Sequence, residues 1–467
     1  MAHHGKGMRR SAARVEALLP SDFLERLPGM PGAEPEGLVE ALDATPPVSI
    51  RLNPLKPFPF PFPADLVPWC ANGRYLPWRP SFTLDPLLHA GAYYVQEAAS
   101  MLLEQAVLAS GATQRDMLAL DLCGAPGGKT THLLSLLTSG SMVIANEVEP
   151  ARRRILAENC WKWGAPNVAI SGSDPAALAA LPGAFDLIVV DAPCSGEGLF
   201  RRDPFARRQW SPRLVQQCAA VQKLIVEQAW DALAPGGTIV YSTCTWEQEE
   251  DEARMDQLLA LGADPLPLRI DAAWGVVPSE KAGAVAYRCY PNRLRGEGFF
   301  IFAARKPGQP PPRDGRPEID RSEPPPWIDQ RAELSLVERN GIRYARPLAW
   351  AAALDRIAGA LAVEAPGIPV AERKGDGWVP HAAAALSALR SSDHLPVLDL
   401  TLPEALAYLR GAALSTADAQ GTALLRHRGL GLGWAQGAGR RWNNRWPSPW
   451  RIRMQAAGAP PVPWSEP

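Results

Sequence analysis

MLALDLCGAPGGKT, residues 117–130, joins an apolar run to a glycine-rich turn and then to a helical segment. The apolar run predicts a buried strand ending near Asp121, because short apolar segments bounded by turn residues are typical of parallel sheets. Glycines at positions 124, 127 and 128 permit a tight turn and a close approach of a ligand to backbone amides. This unit predicts a ligand site at the carboxyl edge of a sheet.

Further apolar runs alternate with alanine-rich helical segments downstream of this turn. The predicted strands are residues 117–122, 142–147, 168–171, 187–191 and 238–242. The alternation predicts an α/β fold, with a Rossmann-like parallel sheet covered by helices on both faces. Residues 299–303 predict a late strand at the sheet edge. Upstream, residues 48–53 predict a strand, and a helix is predicted to begin near Tyr93.

Composition divides the chain into five segments. Residues 1–90 predict a small α+β region, and residues 91–305 carry the α/β domain. Residues 306–326 are dense in proline and charge, which is typical of a linker. Residues 327–394 predict a small α+β domain, and residues 395–467 a second small domain with a basic, tryptophan-rich tail.

Composition also limits the classes of protein and site. Hydrophobic residues make up 46% of the 467 and charged residues 21%, which suits a globular protein. No apolar stretch is long enough to cross a membrane, and an apolar signal segment is absent, so a cytoplasmic protein without membrane contact is expected. Seven cysteines without a Cys-x-x-Cys pair predict neither a disulfide framework nor a metal site. A net charge of −1 leaves nucleic-acid binding to local basic patches.

Three types of ligand site compete for the turn at residues 123–129. A phosphate-binding loop needs four residues between its first glycine and Gly-Lys-Thr, and Gly124 leaves only three. The spacing of a dinucleotide fingerprint does not match either. An S-adenosylmethionine site needs no pyrophosphate cradle and fits the turn. Glu147 and Asp174 follow the next two strands, where carboxylates accept hydrogen bonds from ribose hydroxyls and from the adenine amino group. The sequence therefore predicts S-adenosylmethionine as cofactor.

Two cysteines, Cys194 and Cys244, follow predicted strands at the same edge, in the turns DAPCSG and STCT. A thiolate that adds to C6 of cytosine makes C5 nucleophilic enough to take a methyl group, and the attacking thiol needs a lowered pKa. Asp191 is suited to hydrogen bonding at ring N3, and a second thiol can assist the final elimination. Either cysteine suits the attack: Cys194 follows a proline, as in DNA cytosine methyltransferases, and Cys244 follows a threonine. A paired base must first be flipped out.

These motifs resemble the RNA cytosine-5 methyltransferases of the Nol/Nop/Sun type. The matching segments are residues 50–53, 94–97, 121–130, 191–198, 235–237, 241–245 and 296–300. The resemblance implies that Cys244 is the nucleophile, that Cys194 assists product release and that Asp191 completes the catalytic set. The implied S-adenosylmethionine site consists of Cys123, Gly124, Ala125, Pro126, Gly127, Gly128, Lys129, Glu147, Asp174 and Asp191.

The C-terminal segment resembles the bacterial branch of that family that modifies small-subunit ribosomal RNA. Residues 406–411 and 431–434 are similar to its PUA-like extension, which implies a PUA-like RNA-binding domain within 395–467. The resemblance also implies RNA binding by residues 1–90. The implied partner is ribosomal RNA, most simply 16S rRNA near the decoding region, or the small ribosomal subunit, bound by a monomer.

At this point the sequence leaves two alternative functions open, and it does not decide whether two groups of side chains contact RNA. The alternatives are a ribosome assembly factor that binds RNA without catalysis and a DNA cytosine methyltransferase. Arginines at 201, 202, 207 and 208 are candidates for phosphate contacts or for a solvated helix face. Tryptophans at 442, 446 and 450 are candidates for base stacking or for core packing. Gln222 matches a family position without a role that the sequence explains.

Overall fold

The computed structural model describes residues 19–59, 64–310, 323–393, 395–454 and 461–464, and the structural statements below concern these residues. The N-terminal region places two helices before a three-stranded antiparallel sheet with β1 in its centre. Its elements are α1 Ser21–Arg26, α2 Pro35–Asp43, β1 Val48–Leu52, β2 Gly73–Leu76, α3 Pro86–His89 and β3 Tyr93–Tyr94.

The central region contains a parallel sheet extended by antiparallel strands. Its elements are α4 Leu103–Ser110, β4 Leu118–Asp121, α5 Gly128–Leu136, β5 Met142–Asn146, α6 Pro150–Trp163, β6 Val168–Ser171, β7 Phe185–Asp191, α7 Pro204–Gln209, α8 Pro212–Ala232, β8 Leu233–Thr243, α9 Glu252–Ala260, β9 Asp264–Pro265, β10 Val277–Lys281, β11 Ala284–Cys289 and β12 Phe299–Arg305. The parallel strands lie in the order β6-β5-β4-β7-β8. The strand order reverses between β4 and β7, which is where open α/β sheets bind ligands.

The sheet is buried on both faces, because successive side chains along each strand point to opposite sides. Ala119 and Val143 contribute to one core cluster, whereas Leu120 and Ile144 contribute to the other. Helix α8 covers the second face with Val226 and its apolar neighbours. The continuous burial explains why the central strands are apolar runs rather than alternating patterns. This fold is the Rossmann-like α/β class that the sequence predicts, flanked by smaller N-terminal and C-terminal parts.

The C-terminal part adds two antiparallel-rich sheets and one strand that joins the central sheet. Its elements are β13 Leu334–Arg339, β14 Ile342–Pro347, α10 Ala351–Ala360, β15 Val363–Ala365, β16 Ile368–Lys374, β17 Gly377–Pro380, α11 Ala382–Leu386, β18 Val397–Asp399, α12 Leu402–Leu409, β19 Leu414–Ala419, β20 Thr422–His427, β21 Leu430–Gly437 and β22 Gly439–Asn444. The sheet orders are β13-β14-β16-β17 and β18-β20-β21-β22-β19. Strand β15 instead pairs with β6 at the edge of the central sheet. Among the described helices, none combines the length and apolar content needed to cross a bilayer.

Two predicted elements are wrong. The segment predicted as a helix from Tyr93 begins as β3, which pairs with β1, and the α-helix starts only at Leu103. Residues after β3 are tied to β1, because Ser49 Oγ donates to the Gln96 carbonyl oxygen at 2.6 Å. The strand predicted at the edge, β12, lies between β8 and β11, because the β10–β11 hairpin adds outside it. The linker predicted at residues 306–326 lies partly outside the described residues.

Candidate active site

The carboxyl ends of β4, β7 and β8 open into one cavity of about 720 Å³. This volume lies within the range of about 300–1,000 Å³ that is typical of small-molecule sites. The cavity wall includes Cys194, Cys244 and Asp191 together with the turn after β4. The structure therefore brings the predicted catalytic residues and the predicted cofactor turn to one site.

The two cysteine sulfurs face each other inside this cavity. Their Sγ atoms are 3.1 Å apart, and the backbone N–H of Cys244 points at Cys194 Sγ over 3.4 Å. The hydrogen bond with Cys244 raises the pKa of the Cys194 thiol well above its ordinary value, and burial raises it further. Cys194 is therefore held as a thiol next to the sulfur of Cys244.

Asp191 is held at the end of β7 by one cation and one hydroxyl. Its Oδ2 lies 2.8 Å from Lys129 Nζ, and its Oδ1 accepts a hydrogen bond from Ser242 Oγ at 3.0 Å. The second contact follows from the parallel register of β7 and β8, which places Asp191 opposite Ser242. Lys129 also lies 5.0 Å from the ring centroid of Phe299. These contacts fix the carboxylate beside the cysteine pair.

The turn after β4 lines the cavity through Cys123, Gly124, Ala125, Pro126, Gly128 and Lys129. Gly127 does not line it; with a φ of +116° this residue caps the N-terminus of α5 in a conformation that favours glycine. Asp121, the strand-end acid, lies beneath the turn and accepts a hydrogen bond from Thr130 Oγ1 at 2.6 Å. Burial raises the pKa of Asp121 to about 7. Asp121 therefore supports the turn rather than forming the cavity wall.

Glu147 and Asp174 line the cavity beyond the turn, next to Val148 and Pro175. The carboxyl of Glu147 is buried, with Oε1 accepting from Glu149 N at 3.0 Å, whereas Asp174 is exposed. Apolar side chains between two carboxylates suit a nucleoside. The apolar side chains can flank the base, and the carboxylates can accept hydrogen bonds from the ribose hydroxyls and from the amino group of the base. These acceptors and the turn residues that line the cavity fit S-adenosylmethionine.

Three buried polar residues behind the cysteines escaped the sequence analysis as site residues. They are Glu197, Gln222 and Glu250, and each is fully buried. Gln222 Nε2 donates to the Pro193 carbonyl oxygen at 2.9 Å and to Glu250 Oε2 at 2.7 Å, which gives this residue the role that its sequence position lacked. The only available signal was the acidic content of the two cysteine turns, and burial of an acid cannot be inferred from one sequence.

The candidate RNA-contacting side chains divide between surface and interior. Arg201 pairs with Glu297 at 3.0 Å, and Arg207 pairs with Asp43 at 2.9 Å, so both make protein contacts. Arg202 and Arg208 are exposed, and Arg202 borders the cavity. Trp442 and Trp446 are buried in the core of the last domain, and Trp450 packs against that core. Of the two interpretations of these tryptophans, the structure favours core packing.

A separate buried group resembles a metal site by composition. Cys70, Glu104 and His132 place their potential ligand atoms within 4.8 Å of one another. His132 Nε2 lies 3.1 Å from Glu104 Oε2 and 3.7 Å from Cys70 Sγ. Burial raises the pKa of Cys70 to about 12 and lowers that of His132 to about 4. A protonated thiol and a neutral imidazole explain this group as part of a hydrogen-bonded core.

Comparison with known proteins agrees with this architecture along the chain. Residues 108–305 match the family described as 16S rRNA methyltransferase RsmB/F. Residues 19–98 match the N-terminal domain of 16S rRNA methyltransferase RsmF, and residues 395–452 match the methyltransferase RsmF PUA domain. The chain is 31% identical over 439 residues to ribosomal RNA small subunit methyltransferase F of Klebsiella pneumoniae (strain 342), which covers 85% of this chain and 89% of that protein. The chain belongs to the RsmF family of 16S rRNA methyltransferases.

A shorter match and a solved structure add to this assignment. Ribosomal RNA small subunit methyltransferase F of Aeromonas salmonicida (strain A449) is 37% identical over 276 residues, or 55% of this chain, and the chain spans only 57% of that relative's length. The crystal structure of a methyltransferase homolog protein from Pyrococcus horikoshii is 28% identical with a TM-score of 0.51, covering 60% of this chain and 93% of that protein. The family resemblance predicted from the motifs is confirmed, including the PUA-like C-terminal domain.

Proposed function

We propose that this protein methylates C5 of cytosine in RNA, most simply in 16S rRNA near the decoding region, through a covalent bond between Cys244 and C6 of the base. The observation that carries this proposal is the 3.1 Å separation of two cysteine sulfurs in the cavity that also holds the turn after β4. Membership in a family of rRNA methyltransferases supports the substrate class. S-adenosylmethionine supplies the electrophilic methyl group when bound.

Cys244 is the better candidate for the attacking thiolate. The Cys194 thiol lies 3.1 Å from the Cys244 sulfur and its pKa is raised, so in this proposal Cys194 is the hydrogen-bond donor to the sulfur that attacks. The Cys244 thiolate adds to C6, and the electron pair of the C5–C6 double bond becomes available at C5 for methylation. Asp191, held by Lys129 and Ser242, is the proton donor in this proposal: its carboxyl gives a proton to ring N3 as negative charge develops there, and it takes the proton back when the aromatic ring is restored.

The last step needs a base that removes the proton from C5, and the Cys194 thiol can become that base after Cys244 has bonded to C6. Once the sulfur of Cys244 is bonded to C6, it is a neutral thioether, and the largest influence that raises the pKa of Cys194 is removed. Cys194 then ionises to the solvent more readily and takes the proton from C5. The electrons of the C5–H bond restore the C5–C6 double bond, the C6–S bond breaks, and Cys244 leaves as a thiolate.

Single cysteine variants test this assignment. With radiolabelled S-adenosylmethionine and 16S rRNA or small ribosomal subunits, we expect Cys244→Ala to form no covalent adduct and no product. Cys194→Ala retains the nucleophile and therefore accumulates the adduct, visible as a shifted protein band on a denaturing gel. Cys218→Ala, on α8 and outside the cavity wall, is the matched control and should behave as wild type.

The outcome also separates the alternatives. An adduct lost in Cys194→Ala and retained in Cys244→Ala would reverse the roles and contradict the proposal. RNA binding without any methyl incorporation by wild type would favour an assembly factor. Bisulfite sequencing of ribosomal RNA from a strain lacking the gene identifies the nucleotide, and purified RNA compared with intact subunits identifies the partner.

A further inference from the structure

A buried hydrogen-bonded network holds the peptide groups on both sides of Cys194. The backbone N–H of Ser195 donates to Glu250 Oε2 at 3.1 Å, and the carbonyl oxygen of Pro193 accepts from Gln222 Nε2 at 2.9 Å. Gln222 in turn donates to Glu250 at 2.7 Å. The residue before Cys194 and the residue after it are therefore fixed to the same pair of side chains. Pro193 lines the cavity, whereas Ser195, Gln222 and Glu250 lie outside its wall.

A second carboxyl group completes this network. Glu197 is contacted by Ser195 Oγ, 2.8 Å from Oε1 and 3.0 Å from Oε2, and it also accepts from the indole N–H of Trp210. The same Ser195 Oγ hydrogen-bonds to Glu250 Oε1. Glu197 and Glu250 are both fully buried, and within the described residues neither forms an ion pair with an arginine or lysine. Two negative charges here would be desolvated and unbalanced.

The hydrogen count at Ser195 indicates how many protons the two carboxyls hold. A serine hydroxyl has one hydrogen to donate, yet two carboxyl groups lie within hydrogen-bond distance of Oγ. If both were ionised, one of these contacts would set a lone pair against a lone pair. If one carboxyl is protonated, it donates to Oγ while Oγ donates to the other, and both contacts are satisfied. Independently of this hydrogen count, two carboxyls that share a site tend to hold one proton between them, because two like charges so close repel each other.

We propose that Glu250 and Glu197, sharing one proton, act with Gln222 as positioning residues that aim Cys194 at Cys244. The inference rests on the proposed function, because it assigns the network to the elimination step in which Cys194 takes part. It predicts that the network matters for release of RNA more than for attack, since Cys244 is held by β8 and by the hydrogen bond between its carbonyl oxygen and Gly198 N, at 2.8 Å.

Several titratable groups lie near the pair. Coulombic effects link it to Glu247 and Asp251 in the loop after β8, to Tyr241 on β8, to Cys218 on α8 and to Cys194. Negative charge on Glu250 also raises the pKa of Cys194. Keeping one carboxyl neutral therefore limits the total negative charge next to the thiol that must ionise.

The adduct assay tests this network with three variants. Glu250→Ala removes the acceptor of the Ser195 N–H, so we expect the covalent RNA adduct to form but to decay about 10- to 100-fold more slowly, as misplacement of a reacting group does. Glu250→Gln mimics the neutral, protonated carboxyl and should rescue release in large part. Glu104→Ala removes a buried carboxyl outside the cavity wall and controls for general destabilisation, with a lowered melting temperature but no adduct accumulation.

Three outcomes would contradict these inferences. If Glu250→Ala loses adduct formation and adduct release equally, as Glu104→Ala does, the network has only a structural role and the proposal is overturned. Adduct accumulation in Glu250→Gln as strong as in Glu250→Ala would overturn the shared proton. If instead the adduct survives in Cys244→Ala, the proposed function itself fails.

A measurement without RNA keeps the positioning role testable in that case. Alkylation of Cys194 by iodoacetamide, followed by mass spectrometry with an added cysteine peptide as the rate reference, reports the reactivity of this thiol directly. A changed rate ratio in Glu250→Ala and a restored ratio in Glu250→Gln support the network. Identical ratios in all three proteins overturn it.

Discussion

At the residue scale, the site depends on which buried groups keep their protons. Cys194 stays a thiol because of its hydrogen bond to Cys244, and burial raises the pKa of Glu250 to about 8 and of Glu197 to about 7. A carboxyl that is protonated in the folded state but ionised in the unfolded chain makes stability depend on pH. The network behind Cys194 is therefore expected to leave a signature in unfolding measurements.

Stability should fall as pH rises through the raised carboxyl pKa values. Between the ordinary glutamate pKa of about 4.3 and the folded value, the folded state binds more protons than the unfolded chain, so this contribution is full at low pH and lost at higher pH. Glu250→Gln removes one titrating group. We expect the free energy of unfolding to decline less steeply from about pH 5 to pH 8, by at most about 1.4 kcal/mol per pH unit for one proton.

Urea denaturation at a series of pH values measures this slope. Glu40→Gln, which changes an exposed glutamate on α2, is the control and should keep the wild-type slope. Parallel curves for Glu250→Gln and wild type would contradict the raised pKa of Glu250.

At the element scale, two glycines let the cysteine turns approach each other. Gly198 N donates to the Cys244 carbonyl oxygen at 2.8 Å, and a Cβ on Gly198 would collide with the carbonyl oxygen of Gly298 and lie 2.9 Å from that of Cys244. Backbone atoms cannot move aside as a flexible side chain can. The end of β8, the turn after β7 and the start of β12 are therefore packed to a fixed spacing.

Gly198→Ala should disturb this spacing. We expect a loss of about 1–3 kcal/mol in the free energy of unfolding, because overpacking forces backbone shifts, together with slower methyl transfer. Gly359→Ala is the contrasting control: nothing lies within 4 Å of its Cβ position, and alanine in the last turn of α10 should stabilise the protein by no more than about 0.5–1 kcal/mol. Thermal unfolding gives the melting temperature of each variant. Equal melting temperatures for Gly198→Ala and Gly359→Ala would contradict the packing argument.

At the scale of the whole molecule, the central sheet is completed by the segment after the linker. Strand β15 pairs with β6, Ala362 N donates to Ser173 Oγ at 2.7 Å, and Trp350 Nε1 donates to the Gly140 carbonyl oxygen at 2.6 Å. Val363 is buried in the same core cluster as the central strands. The division at residues 306–326 stays a prediction, but this strand couples the two sides of it.

Val363→Asp should weaken that coupling. An unpaired carboxylate in this core is expected to cost about 2–5 kcal/mol in the free energy of unfolding, because a buried charge without a partner is poorly solvated. Glu364→Gln, which removes an exposed ion pair with Arg153, should change it by less than about 1 kcal/mol. Differential scanning calorimetry measures the melting temperature and unfolding enthalpy of both variants. An unchanged melting temperature in Val363→Asp would mean that β15 does not stabilise the central sheet.

The sequence by itself determined the local units and their chemistry. Apolar runs placed the five parallel strands, glycine spacing placed the turn after β4, and the two cysteine turns marked the reactive edge. These features are local, because strand propensity, turn geometry and the connection of a strand to its next turn involve neighbouring residues. In a parallel sheet the carboxyl ends of the strands lie at the same edge, so the predicted parallel arrangement alone brings the turns after them together.

Only the tertiary structure decided which residues meet across the chain. Pairing of β12 with β11, the tether of Gln96 to β1 and the burial of Trp442 depend on segments far apart in sequence. The carboxyls of Glu197 and Glu250 are exposed or buried according to the loops and α8 that pack over them. Burial and partner choice arise from long-range packing, which a single sequence does not specify, and they set the protonation states on which the site depends.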